Sequence, residues 1–186
     1  DSLPGEAEAL GLLSLLQFHR SREPARAVGG ELVLLGDQDR SRWDVALVAE
    51  AHRTLERAAR LHRPGRWQLH AAIAACHSDA PDAASTDWPQ VLTLYDMLLT
   101  FDRSPVVRLN RAVALARVAG PQYALAELDA LGDPLPRSHL WHAVRASLLR
   151  ELGRDDEALA ADLRAIELTA NDAERRLLTA RATPGR

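Results

Sequence analysis

The residues best placed to do chemistry sit together in the stretch GELVLLGDQDRSRWD, Gly30–Asp44, where Asp37, Asp39 and Asp44 alternate with Arg40 and Arg42 beside Trp43. Arginine forks match carboxylates in a bidentate fashion, so the cluster supports three kinds of chemistry. The plainest is a local ion-pair and capping knot that pins the start of a helix. The second is a docking surface for another domain or polypeptide, because Trp and Arg are the side chains that anchor interfaces. The third is a catalytic pair of acids.

Other polar groups are thinner. Cys76 and His77 are adjacent, point in different directions on a helix and cannot form a nucleophile–base pair with each other. His139-x-x-His142 places two imidazoles on one helical face but brings no third ligand for a metal. Asn110 and Arg111 interrupt the packing run VVRLNRAVAL, suited to an inter-helix hydrogen bond or to holding a peptide backbone. DAERR, Asp172–Arg176, is a second acid–arginine cluster containing Arg175. No GxSxG, glycine-rich phosphate loop, HExxH or CxxC occurs. We therefore expect no catalysis, no cofactor and no metal.

Composition narrows the class. The chain has 186 residues, 47% of them hydrophobic but only 4% aromatic, with Ala and Leu carrying the apolar content, as in helical bundles and solenoids. A net charge of −3 argues against nucleic-acid binding through a broad basic surface. Every basic residue is Arg, and residues 20–66 hold ten of them against seven acids. One cysteine rules out an internal disulfide, and its apolar neighbours in AAIAACH predict that Cys76 is buried. No run approaches the roughly 20 apolar residues of a membrane span, and there is no signal-peptide pattern. The first residue is Asp, not Met, which suggests either a processed chain or, the favoured reading, a piece of a longer protein.

These residues need helices to hold them. The pattern predicts a first helix over Pro4–His19, apolar on more than one face and therefore buried. An irregular Arg20–Gly30 segment and a short extended run at Glu31–Leu35 follow. Ser41, with Asp44 three residues on, reads as a variant capping box opening a long helix to about Leu61. After the break at Pro64-Gly65 come helices over Trp67–His77, Trp88–Thr100 (capped by Asp87) and Ser104-Pro105 to Ala119. Gly120-Pro121 leads into a helix to Leu131, a loop follows at Gly132–Pro136, and helices span Ser138–Leu152 and Asp155–Thr169. A last helix, capped by Asn171, precedes a fraying end at Thr183–Arg186. Starts near Trp67, Pro105 and Ser138 are 38 and 33 residues apart, close to the roughly 34 of a tetratricopeptide repeat. Ala146, Gly153, Ala158 and Ala165 fall where that motif needs small residues, whereas His142 and Asp162 stand where it expects aromatics. Trp67, Trp88 and Trp141 each sit early in a repeat helix, as core or as groove lining. The fold class is thus all-α, a right-handed stack of helical hairpins over 67–186 with a non-repeat helical cap over 1–66, as one continuous domain.

The strings EALGLLSLLQFHRSREPAR, GELVLLGDQDRSRWD, WQLHAAIAACHSDAP, DWPQVLTLYDMLL and SPVVRLNRAVALA, in this order, resemble the C-terminal tetratricopeptide-like extension of a group of bacterial extracytoplasmic-function sigma factors. The likeness covers about Glu6 to Arg181. It implies a cytoplasmic regulatory domain that controls its own sigma factor by contacts with the sigma domains or RNA polymerase, with no direct nucleic-acid contact. The promoter-reading regions would precede Asp1, so none of the family's DNA-binding residues maps here. Charge density beside an aromatic selects Asp37, Asp39, Arg40, Arg42 and Trp43 as the partner-binding surface, with Asn110, Arg111 and Arg175 as weaker candidates. Two other readings stand beside it: a free-standing repeat adaptor with a peptide in a groove around Asn110, or a small-molecule sensor with a pocket near Trp67, His70 and Trp88.

Overall fold

A computed structural model describes residues 5–132 and 138–182. Pro4, most of the loop expected at Gly132–Pro136 and the end Thr183–Arg186 lie outside them. The protein is all-α. Its helices are α1 (Glu6–Ser21), α2 (Val45–Arg60), α3 (Arg66–Asp79), α4 (Trp88–Leu98), α5 (Pro105–Ala119), α6 (Pro121–Leu131), α7 (His139–Glu151), α8 (Asp155–Leu168) and α9 (Asp172–Ala182). Extended structure among the described residues is limited to two-residue strands, β1 (Ala27–Val28) and β2 (Glu31–Leu32). The chain divides into two compact units, the first holding α1 to α4 and the second α5 to α9 together with residues 29–32.

In the first unit α1 lies against both α2 and α3, and α3 against α4. The face α1 buries is not the leucine-rich one. Ala7, Gly11, Ser14, Gln17 and Phe18 are buried, while Leu13 and Leu16 are 46% and 56% exposed. The expectation of a helix buried on several faces is corrected here, because small residues let α1 approach two helices at once. A Cβ on Gly11 would stand 2.6 Å from the Gln68 backbone nitrogen, and Ser14 Oγ donates to the Ala51 carbonyl at 2.8 Å. Phe18, Ala51, Ala74 and Ala75 form the core beneath. Cys76 is buried as expected, and burial, with Asp79 and Asp87 nearby, pushes its thiol pKa up.

Glu8 of α1 reaches the start of α3 and accepts from the Trp67 N–H at 3.3 Å. A carboxylate there offsets the positive helix end, and Gly65, which offers no capping side chain, leaves it room.

The long helix starts later than the sequence suggests. Asp44, not Ser41, is its N-cap, accepting from the Leu47 N–H at 2.9 Å. Ser41 lies in a separate 3-10 turn, Arg40–Arg42, whose own cap is Asp39. Aspartate at the later position captures the free amides, so the capping box dissolves into two consecutive caps.

In the second unit α5 pairs with α6 and α7 with α8. Gly120 at φ 109° and Gly153 at φ 70° make the tight turns, and Ser104 and Asn171 cap α5 and α9 through their side chains. Leu109, Ala112, Leu125, Leu128, Trp141 and Leu149 fill the core. The small residues expected between α7 and α8 are buried there, Ala146 and Ala165 at 0% and Ala158 at 1% exposure. Asp162, where the repeat motif expects an aromatic, is 2% exposed and ion-paired to Arg150 of α7. A salt bridge buried on its Asp162 side replaces aromatic packing in that hairpin.

Candidate functional site: an arginine–tryptophan knot

The DQDRSRWD cluster folds inward at one end and outward at the other. Trp43 is 6% exposed. Arg40 lies with its guanidinium carbon 5.0 Å from the Trp43 ring centre, and its Nη1 donates to the carbonyls of His77 and Ala80, the latter at 2.6 Å. Those carbonyls close the C-terminal end of α3, where a cation offsets the negative helix end. Asp44 caps α2 and donates its own N–H to the Ser21 carbonyl at 2.9 Å, which ties the cluster to the end of α1. Asp39 is exposed, and hydrogen bonds from the Ser41 hydroxyl and N–H lower its pKa. The side chains of Asp37 and Arg42 are exposed and make no hydrogen bond or ion pair among the described residues, although the Arg42 charge contributes to lowering the Asp39 pKa.

The remaining candidates are in the second unit. Asn110 is exposed on α5. Arg111 is ion-paired to Glu127 at 2.6 Å. Arg175 is held by Asp172 at 2.5 Å and the Thr169 carbonyl at 2.7 Å. His139 faces Glu174 at 3.1 Å. Among the described residues no group of three or more His, Cys, Asp or Glu gathers as metal ligands, and no helix is long and apolar enough to cross a membrane. Trp141 is core, whereas Trp67 and Trp88 are half-buried. Trp67 lies under Arg66 at 4.7 Å, and Trp88 donates from Nε1 to the Ala83 carbonyl at 3.2 Å.

Sequence reasoning missed the other half of the knot. Arg22, just past α1, is 9% exposed, with its guanidinium carbon 5.9 Å from the Trp43 ring centre. Its Nη2 meets His19 Nδ1 at 3.1 Å, and Arg26 Nη2 meets the same nitrogen at 3.3 Å. The signal was the arginine surplus of residues 20–66, which the sequence shows as composition but does not fold into a place. Burial, with Arg26 and Arg40 nearby, lowers the Arg22 pKa to about 10. Burial and then the flanking arginines hold His19 and His77 down to about 4.

Those two histidines set a pH response. In the unfolded chain each takes a proton near 6.5, and in the folded chain only near 4. The unfolded state therefore binds more protons in that window, and stability, complete above pH 6.5, should fall as the pH drops toward 4. Denaturant melts across the window should show the decline, and His77→Gln should make it shallower, leaving the His19 share. An unchanged slope in the variant would mean that His77 titrates normally in the folded protein.

The same geometry separates two neighbouring arginines. Arg40→Ala removes charged hydrogen bonds from the end of α3 and should cost about 1–2 kcal/mol, whereas Arg42→Ala, which loses only an exposed electrostatic contribution to Asp39, should change stability by less than about 0.5 kcal/mol. Thermal denaturation of both variants checks this, and equal losses would refute it.

Fold and site together define an all-α protein of helical hairpins with an arginine–tryptophan knot at the junction of α1, α2 and α3. Residues 1–59, which include the DQDRSRWD run, match a family model described as a family of unknown function, DUF6596. The chain is 44% identical over 172 residues to an uncharacterized protein of Rhizobium meliloti (strain 1021), an alignment covering 92% of this chain. It spans only 41% of that relative's length. No solved structure matches the chain.

Proposed function

We propose that this chain is the regulatory, protein-contacting part of an extracytoplasmic-function sigma factor, acting in the cytoplasm without catalysis of its own. In this reading it modulates promoter-specific initiation by RNA polymerase through contacts with its own sigma domains or the polymerase. The observation that carries the reading is the anchored frame of Arg40, Trp43 and Asp44, which leaves the side chains of Asp37 and Arg42 exposed to solvent without a hydrogen bond or ion pair among the described residues. A rigid frame beneath exposed charges is what a docking surface requires, since pre-ordered groups lose less entropy on binding. The ordered strings shared with that sigma-factor group support the same reading, as does a relative long enough to carry further domains.

The test is calorimetry between this chain and its sigma region, at low and moderate salt, alongside promoter-specific transcription by the full-length protein. Arg42→Ala should weaken binding at least about tenfold and alter transcription without altering the melting temperature, as for a partner-facing charge. Unchanged binding and transcription in Arg42→Ala would remove this surface from the reading.

The second reading is a peptide adaptor, but the groove of about 530 Å³ in the second unit is lined by Trp141, Arg145, Glu157, Ala161 and Arg164 and not by Asn110, where the sequence places it. Capture of a peptide there, unaffected by Arg42→Ala, would support it.

A further inference from the structure

Three N–H donors around Trp43 are buried without an acceptor: Arg22 Nε, Arg40 Nη2 and the Trp43 indole Nε1. Leaving a buried donor unmade is costly, more so when it is charged, and native proteins rarely tolerate several in one place. The charges are equally unbalanced. Among the described residues none of Arg22, Arg26 and Arg40 forms an ion pair with a carboxylate. The carboxylate acting on Arg40 is Asp82, which does so without an ion-pair contact and accepts from the Ser85 N–H at 2.7 Å. Arg22 and Arg26 share one imidazole nitrogen of His19 instead, a neutral acceptor where a carboxylate is the usual partner.

We propose that Arg22, Arg40 and Trp43, with the exposed Arg26 at the rim, form a receptor for a single oxyanion, a carboxylate or a phosphate. Ordered water could accept from the three donors, but it leaves the like charges of Arg22 and Arg40 together beside one indole. An oxyanion answers both deficits. Guanidinium forks select paired oxygens over a spherical ion such as chloride. The half-buried Arg40 and the exposed Arg26 and His19 leave the site an entrance. This site does not depend on the sigma-factor reading: the oxyanion is either a free ion or the side chain of an acidic polypeptide.

The experiment follows the indole N–H resonances of the ¹⁵N-labelled chain, whose four tryptophans are told apart by Trp43→Phe. Sodium phosphate, sodium acetate and a short capped oligoglutamate peptide are titrated separately, against sodium chloride at matched ionic strength. The Trp43 resonance should move saturably with phosphate or acetate while those of Trp67, Trp88 and Trp141 stay in place. Arg22→Gln should weaken binding at least about tenfold, and the exposed Arg26→Gln, which keeps the fold, about threefold, as expected for removing a direct and a rim charge. Tighter binding of the peptide than of acetate assigns the source to a polypeptide carboxylate; a preference for phosphate assigns it to a free ion. A Trp43 resonance that responds no more to these anions than to chloride, or binding unchanged in both arginine variants, would overturn the proposal and leave water as the partner of the three donors.

Discussion

Arg150→Met should destabilise the second unit by about 3 kcal/mol, at the low end of the about 3–5 expected when a buried ion pair loses one member. The asymmetry of the pair sets the figure. Asp162 is 2% exposed, whereas the Arg150 side chain is 40% exposed. Removing the arginine leaves a carboxylate in the α7–α8 interface with its ion partner gone, and only the water admitted by the lost side chain can compensate it. Removing the acid instead leaves a cation that already reaches solvent, so Asp162→Leu should cost less than Arg150→Met. The double variant Arg150→Met/Asp162→Leu should recover most of the loss, because a hydrophobic pair of similar volume needs no desolvation of charge. Urea denaturation followed by the fluorescence of Trp141, 3% exposed in the same core, would read the cycle. If Arg150→Met and Asp162→Leu cost the same and the double variant recovers nothing, the pair is packing and not electrostatics that holds this hairpin.

That pair also shows where local sequence logic stops. Caps and turns were legible because their chemistry lies within three or four residues: Asp87 accepts from the Gln90 N–H at 3.0 Å, Asn171 caps α9, and Gly120 and Gly153 take the positive φ their turns demand. The small residues of α7 and α8 were legible because a repeat motif fixes their spacing. Asp162 read only as a departure from that motif. Its meaning required Arg150, which the helical hairpin, not the sequence, brings opposite.

The site divides the same way. A cluster of Asp, Arg and Trp within eight residues stood out in the sequence, and Arg40 and Trp43 do meet. Arg22 and His77 join them from 18 residues before and 37 after Arg40, and no local spacing pattern links either to the cluster. Ser41 reads as the cap because Ser41-x-x-Asp44 has the box spacing, whereas Asp44 is followed three residues on by Leu47 and carries no box; only the backbone places the start at Asp44. The leucines of α1 misled for a related reason. Hydrophobicity ranks Leu13 and Leu16 above Gly11 and Ser14, but a helix wedged against two others is limited by how closely backbones can approach, and there the smaller side chain wins.

Gly11→Ala puts that argument at risk. Helix propensity alone predicts a gain of about 0.5–1 kcal/mol, because glycine inside a helix loses more backbone entropy than alanine. The packing predicts the opposite sign. An added Cβ would stand 2.6 Å from the Gln68 backbone nitrogen and 3.0 Å from the Trp67 carbonyl carbon, atoms that no rotamer change can move aside. Helices α1 and α3 would have to separate, straining the Glu8–Trp67 cap and loosening Phe18 from Ala74 and Ala75. Overpacking of this kind costs about 1–3 kcal/mol, and we expect a net loss of about 2. Gly5→Ala is the control, since a Cβ there meets nothing within 4 Å, and it should stay within about 0.5 kcal/mol of the parent. A stabilised Gly11→Ala would show that propensity outweighs contact at this crossing, and the account of why α1 turns its leucines to solvent would fall with it.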